Sequence, residues 1–259
     1  MLKSWKSIAA LAAISIASVV CLTPSAVRAE PQTGQHAEKF EKGSAKLDYL
    51  LYLPADYNKQ PDKKWPLILF LHGSGERGSD VMKVKVHGPP KIVEAEPDSA
   101  LAKQFVVVSP QCPEKGWWNS DALSGLLDEI QAKYKIDPDR VYLTGLSMGG
   151  FGTWALASKT PERFAAIAPM CGGGNPADAE KLKNVPVWDF HGGADPTVPV
   201  QKSRDMVAAL KKVGADVKYT EYPGVGHDCW TRSYANPELY TWFLSHKRGE
   251  KPAAAPAAK

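Results

Sequence analysis

The pentapeptide Gly145-Leu146-Ser147-Met148-Gly149, with Gly150 beyond it, constrains this chain more than any other feature. Its force comes from its flanks. Val141-Tyr142-Leu143-Thr144 before it is a short apolar run of strand type, and residues 151–159 after it carry a helical pattern that stops near Pro161. A serine held between glycines at a strand-to-helix junction is the setting of a sharp, strained elbow. The turn forces neighbouring backbones together, which glycine tolerates because it has no Cβ. The hydroxyl then stands at a helix N-terminus, where the dipole favours developing negative charge.

The rest of the chain follows the same alternation. Residues 46–53, 67–71, 105–108, 165–168, 187–190 and 217–222 read as strands. Leu67-Ile68-Leu69-Phe70-Leu71 is apolar at every position, as suits a strand buried on both faces. Leu123, Leu126, Leu127 and Ile130 recur at helical steps before Asp137-Pro138, Met206, Val207 and Leu210 stripe a segment ending near Gly214, and 239–244 make a last short helix. The pattern predicts an α/β fold with a mostly parallel central sheet and helices on both faces. No repeat or linker divides residues 30–248, which read as a single catalytic-size domain with ample length for a buried core.

A serine hydroxyl is a weak nucleophile until a base accepts its proton. Of the six histidines, His227 sits in the glycine-rich loop Pro223-Gly224-Val225-Gly226-His227 just after the last strand, where catalytic groups gather in open α/β sheets. The residue that orients the base should fall between Ser147 and His227 in the chain. Asp195 follows the strand at 187–190, whereas Asp189 lies inside it and Asp228 adjoins His227 too closely to orient its ring. Acyl transfer also needs two donors aimed at the oxyanion. The backbone N–H of Met148 supplies one, and the loop His72-Gly73-Ser74-Gly75 supplies the other through Ser74, with Gly75 as the alternative.

With these residues in this order, the chain resembles α/β-hydrolases of the carboxylesterase/phospholipase-like group, on His72-Gly73, the elbow at 145–150, Asp195 and Gly226-His227. Relatives of that kind include secreted feruloyl and acetylxylan esterases and polyester depolymerases. The resemblance spans residues 47–244 and implies the α/β-hydrolase fold and a secreted serine carboxylesterase acting through an acyl-enzyme. The implied substrate is a small-molecule or polymer-borne ester, with no metal and no organic cofactor. Small serine peptidases of the prolyl-oligopeptidase type share the elbow but usually carry a propeller domain for which no sequence remains. Dienelactone hydrolases look similar overall but use Cys as nucleophile, so Ser147 argues against that branch. Trp118 and Trp230 lie near the motif residues and are expected to wall the substrate site, and the absence of a long insertion suggests an open cleft.

The two ends bear on location. Lys3 and Lys6, the apolar run 8–22 and the small residues before Glu30 predict a signal peptide at 1–29, and hence a secreted or periplasmic protein without an integral membrane span. That segment holds three of the 32 basic residues and none of the 28 acidic ones. The remainder is thus close to neutral and has no basic stripe for nucleic acid. Cleavage would leave Cys112, Cys171 and Cys229, an odd set whose pairing the sequence does not decide. Residues 249–259 read as a disordered Pro/Ala-rich tail.

Overall fold

Every residue of the strand Trp65–Leu71 is buried, because helices cover the sheet it belongs to on both sides. The computed structural model describes Met1 and residues 30–250. The leader expected at 1–29 and most of the tail expected at 249–259 lie outside the described residues.

Eight strands form the sheet: β1 Gly34–Lys42, β2 Ala45–Leu53, β3 Trp65–Leu71, β4 Val106–Pro110, β5 Ile136–Leu146, β6 Ala166–Met170, β7 Val187–Gly192 and β8 Val217–Tyr222. Their spatial order is β1-β2-β4-β3-β5-β6-β7-β8. β1 and β2 pair antiparallel, as do β2 and β4, while every pair from β4 to β8 is parallel. The helices are α1 Gly88–Ala95, α2 Ala100–Gln104, α3 Ser120–Lys133, α4 Met148–Lys159, α5 Gln201–Lys212, α6 Trp230–Tyr234 and α7 Pro237–Leu244.

Strand alternation sorts the core into two layers. Leu67, Leu69, Leu71, Val141 and Leu143 pack with Leu126 and Ile130 of α3, Trp154 of α4 and Met206 of α5. Ile68, Phe70, Tyr142, Trp188 and Phe190 pack on the other face with Val93 of α1, Leu101 of α2, Tyr234 of α6 and Phe243 of α7. The mostly parallel sheet read from the sequence is present, with each predicted strand in place. Asp137-Pro138, expected to close a helix, instead lies within the start of β5. Four elements had no clear signal: β1, α1, α2 and α6. Among the described residues no helix is long and apolar enough to cross a membrane.

Candidate active site

β5 runs directly into α4, and Ser147 is the corner between them. Its φ of 52° and ψ of −116° form a left-handed conformation that L-residues avoid. The surroundings hold it there. The Ser147 amide donates to the Met170 carbonyl at the end of β6 at 2.9 Å. A Cβ on Gly145 would come within 2.4 Å of the Gly149 carbonyl oxygen, and one on Gly149 within 1.9 Å of the Leu71 carbonyl oxygen. The flanking glycines are therefore required by backbone contact.

His227, in the loop after β8, points its Nε2 at Ser147 Oγ across 2.9 Å. Its Nδ1 lies 2.7 Å from Asp195 Oδ2, in the turn after β7. A carboxylate only accepts, so Nδ1 carries the proton and Nε2 presents a lone pair to the Ser147 hydroxyl. The Asp195 side chain is fully buried. Burial by itself would raise its pKa, but the bond from His227 and the amides of Val198 and Thr197, 2.9 and 2.8 Å from Oδ1, prevail and hold it below the ordinary carboxylate value. It stays an anion, able to support an imidazolium on His227.

The loop after β3 lies against the start of α4, since a Cβ on Gly149 would also meet the His72 carbonyl oxygen at 2.7 Å. Ser74 opens the 3-10 turn Ser74–Glu76 in that loop, and Met148 is the first residue of α4, whose N–H has no partner one turn back. His72 fixes the loop. It is buried, its Nε2 accepts from the Cys112 amide at 2.9 Å, and its Nδ1 donates to the Gly73 carbonyl. Burial depresses its pKa to about 4, so the ring is neutral and serves as a structural hinge pin. Arg77 braces the same turn by donating to the carbonyls of Ser74 and Gly116.

The two tryptophans part ways. Trp230 stands edge-on to the His227 ring, with centroids 5.2 Å apart, and borders the site. Trp118 is 7% exposed, donates its indole N–H to the His72 carbonyl, and packs on α4 at Gly152. Its ring meets that of His72 rather than that of His227, with centroids 4.7 Å apart. Its neighbour Trp117 is the exposed one, at 59%, set edge-on to Phe151 of α4.

Cys112, Cys171 and Cys229 are all free thiols and all buried. Cys171 Sγ, an Asp195 oxygen and a His227 nitrogen lie within 4.8 Å of one another, the sole such metal-capable group among the described residues. Two of these donors are engaged with each other, and burial pushes the Cys171 thiol up, so no thiolate is on offer. The sequence reading passed over His191 and Ser203, which stand behind Asp195. The only signal was the position of His191, four residues before Asp195 in His191-Gly192-Gly193-Ala194-Asp195.

With this geometry in view, comparison with known proteins is informative. The model of the dienelactone hydrolase family matches residues 114–253, the elbow included, which overturns the exclusion drawn from Ser147. The chain is 30% identical over 241 residues to a bifunctional acetylxylan esterase/xylanase of Neocallimastix patriciarum, covering 84% of this chain but 32% of that protein. It is 36% identical to a thermostable esterase of known structure with a TM-score of 0.77, covering 83% of this chain and 63% of the other. A ferulic acid esterase structure, at 18% identity and a TM-score of 0.57, covers 81% and 96% and shares the fold.

Proposed function

Because this chain belongs to the dienelactone hydrolase family of α/β-hydrolases, we propose that it is a carboxylic ester hydrolase in which Ser147, His227 and Asp195 carry out two-step acyl transfer. The observation that carries this reading is the continuous run of hydrogen bonds from Asp195 through His227 to a serine at a strained elbow. Ser147 attacks the ester carbonyl as His227 Nε2 takes its proton, and the amides of Met148 and Ser74 receive the oxyanion. His227 then passes the proton to the leaving alcohol, and water releases the acyl group by the reverse route. The buried, anionic Asp195 keeps the imidazolium stable between these steps.

Plant-polysaccharide esters, acetyl or feruloyl, are the substrates we favour, on the likeness to the acetylxylan esterase/xylanase and on the aromatic ring that Trp230 sets against His227. Residues 1–29 are read as an export signal, which a mature N-terminus at Glu30 in the exported protein would establish. The enzymatic reading is tested with 4-nitrophenyl esters of increasing chain length, methyl ferulate, acetylated xylan and a peptide anilide. Ester turnover should exceed peptide cleavage, and Ser147→Ala should lower kcat by about a thousandfold or more. Near-normal turnover by that variant, or fluorophosphonate labelling of another residue, would refute it.

A further inference from the structure

His191 is the histidine that precedes His227 in the chain, and it is fully buried at the end of β7. Its Nε2 stands 2.9 Å from the Val198 carbonyl oxygen and 3.3 Å from Asp195 Oδ2. Both are acceptors, so Nε2 carries a proton directed between them. Burial disfavours the charged ring, which leaves Nδ1 bare. The Ser203 hydroxyl of α5, 2.8 Å from Nδ1, therefore donates to it. One tautomer satisfies every contact; the two acceptors at Nε2 select it, and the Ser203 hydroxyl completes it at Nδ1.

The consequence falls on Asp195 by two routes. The His191 N–H shares Oδ2 with the Nδ1–H of His227, and His191 also anchors the carbonyl of Val198, whose own amide binds Oδ1. Both carboxylate oxygens are thus set by groups that His191 orders. We propose that His191, held in a single tautomer by the acceptors at its Nε2 and braced at Nδ1 by Ser203, is a positioning residue that aims the Asp195 carboxylate at His227. This rests on the triad reading above and extends it behind the carboxylate. The titratable groups facing His191 are Asp195 and His227 on the reaction side, Asp189 across the Ser203 hydroxyl, and Glu221 of β8.

Substitution of the ring tests this. His191→Gln retains an N–H near the Nε2 position, whereas His191→Phe fills the volume with no donor. With 4-nitrophenyl acetate, His191→Phe should lose about tenfold to a hundredfold in kcat with KM changed by less than about threefold, and His191→Gln should recover most of the loss. Without the second donor, Asp195 holds the His227 proton more tightly. The acid limb of the kcat/KM profile should therefore move to higher pH in His191→Phe. Ser203→Ala should shift the same limb in the same direction, and it decides the matter if His191→Phe does not fold. Wild-type kcat and an unmoved limb in folded His191→Phe or Ser203→Ala would overturn the proposal, as would equal loss in the Gln and Phe variants. Ser147→Ala run alongside separates the two readings. If Ser147→Ala is inactive while His191→Phe behaves as wild type, only the positioning role falls.

Discussion

Asp189 offers a measurement in which the buried side of β7 reports on itself. The carboxyl is entirely buried, neither oxygen makes a well-formed hydrogen bond, and burial pushes its pKa from 3.8 up to about 8. In the folded protein it keeps its proton at neutral pH, while the unfolded chain releases it above about pH 4. Stability therefore falls as pH rises between these two values, by about 1.4 kcal/mol per pH unit, and levels off above the folded-state pKa. Asp189→Asn removes the ionisation at nearly constant volume. Between pH 5 and pH 8 the variant should gain on the parent by about 4 kcal/mol, after a packing cost of about 1 kcal/mol common to both pH values. For a domain of this length that gain corresponds to about 10 °C in Tm. Thermal unfolding followed by circular dichroism from pH 5 to pH 9 reads it directly. If the two proteins keep a constant difference in Tm across that range, Asp189 is ionised in the fold, and the account of a neutral carboxyl behind the triad is wrong.

Three further expectations follow from the site. Gly149→Ala sets a methyl group 1.9 Å from the Leu71 carbonyl oxygen, so it should cost about 3 kcal/mol or more and abolish labelling of Ser147 by a fluorophosphonate, read by urea unfolding and gel fluorescence. Trp118→Ala should lower stability by about 3 to 5 kcal/mol, whereas Trp230→Ala should leave Tm within a few degrees and raise KM for aromatic esters, so that steady-state kinetics and melting curves separate scaffold from wall. Cys112, Cys171 and Cys229 should be silent to a thiol-reactive disulfide reagent in the native protein and react once guanidinium unfolds it; rapid native labelling would contradict their burial.

The chain made its sheet legible wherever burial on two faces demanded unbroken apolar runs, as in β3 and β4. β1 was not legible for the opposite reason. It is an edge strand in which only Phe40 is buried, and backbone pairing to β2 holds it, so its polar sequence carries no period. α1 begins Gly88-Pro89-Pro90 and α2 spans five residues, too little for a helical stripe to emerge. At the site, Ser147, His227 and Asp195 could be proposed together because chain order and glycine-rich loops constrain them. Trp118 is ambiguous in the sequence because an aromatic face suits a substrate wall and an interior contact equally. His191 stayed hidden because its partners, Val198 and Ser203, meet it only once the chain has turned into α5.

The geometry of the proposed triad depends on β6, a strand that contributes no member to it. Ser147 leaves β5, Asp195 follows β7 and His227 follows β8, so β6 lies between nucleophile and acid in the sheet order. The end of β6 ties them together. The Met170 carbonyl accepts the Ser147 amide at 2.9 Å, and the next residue, Cys171, donates its amide to the Phe190 carbonyl of β7 at 2.8 Å. Cys171 has a φ of +39°, the only other such value among the non-glycine residues at these strand ends. Two adjacent residues in unfavourable or tightly bonded backbone positions thus fix the spacing of strands on either side. The separation of Ser147 from Asp195 is set by sheet hydrogen bonds beneath. The strain at the elbow belongs to the backbone: the φ of Ser147 is held by its amide on the Met170 carbonyl and by the close approach of Gly149 to Leu71, not by its side chain.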